Sequence, residues 1–329
     1  VILYYTTVGG FKAVAYSDVL QGVLMFSGLL MLPIVGVSAA GGFSQLIEQL
    51  HSVDPNLLEP MGELGFSVAG VLSAVSFMGI GLAFLGAPQL LTRFISASGR
   101  TQIVNGSLLA VICIIVFDVG AVFAGMAGRS LFPGLDDPET ILPTMASELL
   151  PPVITGLFLV VVLAAIMSTV DSLLILASSA VVRDVVQKTL RSNLSDNRLS
   201  LYGKLTTVVI GAGALVLALG EVRVVFWFVL FAWSGLACAF TPIVLCSLFW
   251  KRTTRAGAIV GMVSGFLTTV IWVLVFKVGF YDLYEMLPGF LVGFVTTIGV
   301  SLLTEPPAAA AEELEAMRAA VGHPFKGFP

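Results

Sequence analysis

Charged side chains are scarce in this chain, at 11% of 329 residues, against about a quarter in a soluble domain. That shortage excludes an ordinary water-soluble globule. Histidine is scarcer still. Only His51 and His323 occur, both outside the long apolar runs, so the spans hold no histidine proton relay. An intramembrane protease is disfavoured too, because no HExxH zinc motif appears and no span pairs a nucleophile with a His or Lys base. The three cysteines, Cys113, Cys238 and Cys246, all fall inside apolar segments and read as small buried or lipid-facing side chains, not as a disulfide or metal framework. No basic stripe is present to hold nucleic acid, and a net charge of -4 says little about partners.

What the chain has instead is apolar length. Hydrophobic residues make up 57% of it and the mean hydropathy is +1.02. Eight segments reach the roughly 20 residues needed to cross a bilayer, at about 15–38, 66–92, 104–127, 153–182, 205–220, 224–249, 257–276 and 286–303. The cations between them alternate. Lys12, Arg93, Arg100, Arg183, Lys188, Arg191, Arg198, Lys204, Lys251, Arg252, Arg255, Arg318 and Lys326 share one side if all eight segments span. The other side receives only Arg129, Arg223 and Lys277, with most of the loop acids: Glu48, Asp54, Glu59, Glu63, Asp136, Asp137, Glu139 and Glu148. By the positive-inside rule both ends are expected to be cytoplasmic. The expected division is a membrane domain over 1–304 and a polar, Ala-rich cytoplasmic tail over 305–329, with FPGLDDPETILP a turn-rich external loop and RSNLSDNR a polar cytoplasmic one. Val1 is not a Met and no signal peptide precedes the first span, so the chain is expected to begin partway through a longer protein.

The fourth span, LAAIMSTVDSLLILASSAVVRD, carries polar atoms where lipid contact would forbid them. Ala165, Ser168, Thr169 and Ser172 stand at i, i+3, i+4 and i+7, one face of a helix, with Asp171 beside them. A carboxylate at membrane depth needs a partner, a cavity or an ion. Hydroxyls beside a carboxylate suit a hard cation such as sodium; equally, Ser and Thr can bond back to carbonyls one turn earlier. In the first span, GGFKAVAYSDVLQG brings Asp18 and Gln21 into an apolar run, where the acid either has a functional partner or sits at a helix end within reach of the interface. The second span, VLSAVSFMGIGLAFLGAPQLLTRF, is interrupted by Gly79, Gly81, Gly86 and Pro88, and such breaks either line a transporter cavity or allow close helix packing. Ser234, Gly235, Thr241 and Pro242 in the sixth span either kink it near the substrate path or, the favoured reading, serve packing. Asp118 lies centrally in the third span, where a pathway role and an interhelical hydrogen bond are both open.

Three of these stretches together resemble the sodium:solute symporter family. LAAIMSTVDSLLILASSAVVRD is similar to its eighth core helix, whose A-x-x-[ST]-[ST] run binds sodium. The resemblance implies that Ala165 gives a backbone carbonyl and that Ser168 and Thr169 give hydroxyls. GG-x-KAV-x-x-x-D-x-x-Q resembles the opening of the fifth core helix, whose aspartate is tied to sodium dependence, with Gly9 and Gly10 as the turn and Lys12 as the anchor. On this likeness Asp18, Ser172 and Asp171 are candidates for a second sodium site. G-x-x-x-x-G-x-P-x-x-x-x-R resembles the sixth core helix and makes Gly81, Phe84, Gly86 and Pro88 candidate solute contacts. The proline-carrying members place Trp and Tyr where this chain has Ile80 and Phe84, so the solute stays open between proline, another amino acid and a carboxylate such as pantothenate. The likeness runs to about Leu303.

The expectation is therefore an all-α polytopic protein with eight transmembrane helices, part of a leucine-transporter-type inverted-repeat fold in which core helices one to four are absent. Its function would be sodium-coupled symport of a small organic solute, with sodium as the co-transported ion and the bilayer as the other partner. Two alternatives fit the same residues. One is a proton-driven carrier using Asp18, Asp118 and Asp171; the other is a transporter-like sensor module of a signalling protein.

Overall fold

A computed structural model describes residues 1–190, 194–220, 225–280 and 283–321. Arg191, Arg223, His323 and Lys326 lie outside the described residues. In chain order the helices are α1 (Ile2–Ala39), α2 (Phe43–Val53), α3 (Val68–Met78), α4 (Ala83–Gly86), α5 (Pro88–Ser96), α6 (Arg100–Leu131), α7 (Ile141–Leu149), α8 (Pro152–Ser179), α9 (Asp196–Ala218), α10 (Val225–Phe249), α11 (Arg255–Ile271), α12 (Met286–Leu303) and α13 (Ala310–Val321). The described residues contain no strand. Among the described residues eight helices, some built from several of these elements, are long and apolar enough to cross a membrane, as the sequence led us to expect. A bilayer offers the backbone no water, so each span must satisfy its own N–H and C=O groups, and the helix does so internally.

Several boundaries differ from the sequence reading. The first span begins at Ile2, not near 15, because two helical pieces meet at Gly10, whose φ of 58° and ψ of -155° turn the chain. Only glycine adopts that conformation without strain. Past Ser179 the fourth span continues as a π-helix over Ala180–Thr189. The loop expected to be external is partly helical, since Ile141 to Pro143 belong to α7. Asn197 and Arg198, expected in a loop, sit in the first turn of α9.

The chain divides into two compact units, residues 1–59 with 96–223 and residues 60–95 with 224–329. In the first unit, α1, α2, α6, α7 and α8 share a core of Leu32, Leu46, Leu50, Ala127, Met145 and Phe158. Leu46 and Leu50 stand at i and i+4 on α2, the spacing that gives a short helix one apolar stripe. Glycine lets α1 and α6 approach closely, for a Cβ on Gly120 would lie 2.8 Å from the Leu29 carbonyl oxygen.

In the second unit α10, α11 and α12 pack through small residues. A Cβ on Gly257 would meet Ser301, one on Gly261 would meet Thr297, and one on Gly265 would meet the Cys238 carbonyl oxygen. Thr254 caps α11, its hydroxyl accepting from the Gly257 N–H at 3.0 Å. Tyr284, Met286, Leu230 and Ala237 form the core of this unit. The segment 305–329, expected as a tail, forms α13 in its described part, and Arg318 donates to the Phe249 carbonyl at the end of α10.

Candidate ion site

The polar face of α8 divides between two environments. Ser168 Oγ and Thr169 Oγ1 both donate to the Ala165 carbonyl, at 3.0 and 3.3 Å. This is the back-bonding arrangement open to hydroxyls in a membrane helix, and it also gathers three oxygens at one place. Thr169 is exposed and Ser168 and Ala165 are half-buried, so all three lie on a face that unit 1 leaves accessible. One turn further, Asp171 and Ser172 are buried. Ser172 Oγ donates to the Ser168 carbonyl at 2.7 Å and lies 3.3 Å from Asp171 Oδ1.

Asp171 is sealed by a residue that sequence reasoning missed. Tyr5 Oη donates to Asp171 Oδ2 at 2.5 Å, across 166 positions of chain. The turn at Gly10 redirects Ile2–Gly9 relative to the helix that follows, and the Ser17 and Gln21 side chains lie near the same phenol. Asp18, half-buried, lies between those two positions, so its turn of α1 stands level with Asp171. Gly28 and Val161 fix the other end of the α1–α8 contact, since a Cβ on Gly28 would lie 2.6 Å from Val161. The helices therefore run antiparallel, with Asp18, Asp171 and Ser172 at one level. The available signal for Tyr5 was its place four residues before the Gly9–Gly10 pair, which could turn the chain.

The second-span residues sit in the other unit. The break foreseen there occurs in two steps: a 3-10 stretch over Gly79–Leu82, then an extended Ala87, with ψ 113°, ahead of Pro88. Gly81 and Phe84 are exposed, while Gly86 is buried against α10. A Cβ on Gly86 would stand 2.4 Å from the Thr241 nitrogen, and Thr241 Oγ1 donates to the Leu82 carbonyl at 2.9 Å. Gly86 thus serves close packing, and the hydroxyl satisfies a carbonyl freed by the break. Phe84 meets Trp233 edge to face at 5.4 Å. Ser234, Gly235, Thr241 and Pro242 are buried within α10. Asp118 is exposed on α6, with no hydrogen bond to another described residue.

Apolar membrane-length helices, one carrying oxygen donors and one broken, are features of secondary transporters. The sodium:solute symporter family matches residues 1–265, and the chain belongs to that family. It is 36% identical over 94% of its length to the high-affinity proline transporter PutP of Bacillus subtilis, covering 65% of that protein. To the sodium/proline symporter of Salmonella typhimurium it is 34% identical over 94% of its length, covering 62% of that protein. These relatives are transporters, not enzymes. The solved structure of a Na+-coupled sialic acid symporter, in a substrate-bound outward-open state, superposes with a TM-score of 0.69 at 21% identity, covering 93% of this chain and 65% of that one. The fold is thus part of the leucine-transporter type. This chain spans less than two thirds of the length of each of these proteins.

Proposed function

We propose that this chain forms part of a sodium-coupled symporter that moves a small organic solute across the cytoplasmic membrane by alternating access, with both ends of the chain cytoplasmic. The observation that carries this reading is the convergence of the Ser168 and Thr169 hydroxyls on the Ala165 carbonyl, on an accessible face of an otherwise apolar helix. Oxygen donors of this kind suit a hard monovalent cation. Ala165, Ser168 and Thr169 hold the transported sodium. Asp18, Asp171 and Ser172 form the second polar level, one helical turn along, where a further cation would balance two nearby carboxylates. Gly81 and Phe84 offer backbone and an apolar ring to the solute, while Gly86 and Pro88 shape the break. Proline or another small amino acid is the first solute to test, in keeping with the relatives' names; a carboxylate such as pantothenate is the second. Sodium and solute favour the same conformational state, so each raises affinity for the other.

Uptake into proteoliposomes by the full-length protein, with imposed sodium or pH gradients and a panel of amino and carboxylic acids, tests this function. Sodium-driven accumulation is expected, and Ser168→Ala or Thr169→Ala should weaken apparent sodium affinity by on the order of 1–3 kcal/mol, the usual loss for an unmet polar contact. Asp18→Asn should impair sodium-driven uptake more than solute binding. Accumulation that follows the pH gradient and ignores sodium would instead establish proton coupling.

A further inference from the structure

At one end of unit 1, a cavity of about 360 Å³ opens between the start of α1, the π-helical continuation of α8 and the first turns of α9. Its lining includes Thr6, Thr7, Ser178, Ser200, Arg183 and Lys204, and among the described residues it contains two cations and no acid. Neither cation is neutralised within the described residues. Arg183 donates to the uncharged Gln187 Oε1 at 3.0 Å, and its neighbour Asp184 pairs with Lys188 at 2.9 Å. Two lining hydroxyls are buried without a partner among the described residues, Thr6 Oγ1 and Thr7 Oγ1, and Thr6 as a whole is only 3% exposed. A buried polar atom with no partner is uncommon and calls for one. Arg183 stands on a π-helical segment, an irregularity found often at functional sites.

We propose that this cavity binds a phosphate-bearing anion, either the headgroup of an anionic phospholipid or a free phosphate. Guanidinium and ammonium groups with hydroxyl donors are the chemistry that recognises phosphate oxygens. The size agrees: at about 30 Å³ per water, the space holds on the order of ten non-hydrogen atoms, the size of a phosphoglycerol group. Both cations are exposed at the cavity, so a headgroup can reach them while its acyl chains stay in the bilayer. This site uses none of the residues proposed to hold sodium or solute and does not depend on that reading.

The test follows thermal unfolding of the protein, purified in neutral detergent, during titration with dioleoylphosphatidylglycerol, dioleoylphosphatidylcholine or inorganic phosphate. Phosphatidylglycerol should raise the melting temperature by several degrees and phosphatidylcholine should not. A rise with phosphate as well would make the free anion a ligand, whereas a rise with the lipid alone would make the headgroup the ligand. Arg183→Gln with Lys204→Gln should abolish the rise, Thr6→Val should weaken the apparent affinity several-fold, and a control pair that does not line the cavity, Arg252→Gln with Arg255→Gln, should keep it. The proposal is overturned if no anion raises the melting temperature, if the Arg183/Lys204 pair leaves the rise intact, or if the control pair loses it equally.

Discussion

Asp171 has no exposed surface in its unit, yet its carboxylate is met by a phenol and a neighbouring hydroxyl. A buried carboxyl left without donors is penalised by roughly 1–3 kcal/mol, more when charged. Tyr5→Phe removes the phenolic donor and little volume, so it is expected to lower thermal stability and to weaken sodium-driven uptake. Asp171→Asn alone should be milder. If the two groups act as a pair, the double variant should be less destabilised than the sum of the singles, which a double-mutant cycle measures. Strict additivity would show that Tyr5 and Asp171 contribute independently. The two halves of this site differed in legibility. Ser168, Thr169, Asp171 and Ser172 could be read because helical spacing places them together within one segment. Tyr5 could not, because its partner is 166 positions away and the contact depends on a single glycine conformation.

Helix pairs in this protein are held by close approach, since in lipid there is little hydrophobic gain from association and small residues let backbones pack. Gly265 is the strictest case, as a Cβ there would lie 2.2 Å from the Cys238 carbonyl oxygen, a backbone atom unable to rotate aside. Gly265→Ala should destabilise the α10–α11 contact by about 1–3 kcal/mol, the usual penalty for overpacking. Gly299→Ala on α12, where nothing lies within 4 Å, should be neutral or slightly stabilising through helix propensity. Equal melting temperatures for both variants would refute the packing argument. An ion pair ties the same bundle at one end: Lys277 Nζ lies 2.9 Å from Glu285 Oε2, with the Glu285 side chain only 2% exposed and Lys277 at 21%. Lys277→Met strands that carboxylate and should destabilise by about 3–5 kcal/mol. Adding Glu285→Gln should recover much of the loss. The long spans were legible from apolar length alone. The short helices α2 and α7 were not, because a single buried stripe such as Leu46 and Leu50 in so few residues resembles a loop with occasional leucines. The break in the second span was legible from Gly79 to Pro88. The use of Gly86 as a packing surface depended on α10, more than a hundred residues later.

For the whole chain, the strongest long-range regularity is the alternation of cations and acids between spans. Positively charged loops stay cytoplasmic because their translocation is disfavoured. On that rule Asp136 and Asn197 belong to opposite compartments, and α8 is the span that separates them. Both residues are exposed, so neither position hides a probe inside packing. Asn197 stands in the first turn of α9, which keeps it at the boundary of a span and not within it. The test replaces Cys113, Cys238 and Cys246 by Ala and then introduces a single cysteine at Asp136 or Asn197 in the full-length protein in intact cells. A membrane-impermeant maleimide should label Asp136→Cys from outside, and should label Asn197→Cys only after the membrane is opened. Labelling of both in intact cells would mean that α8 does not span between them, and the eight-span reading would fail with it. Labelling of Asn197→Cys alone would keep the spans and invert the orientation. The acidic face of the chain would then be cytoplasmic, and the cation alternation would have to arise from something other than topology.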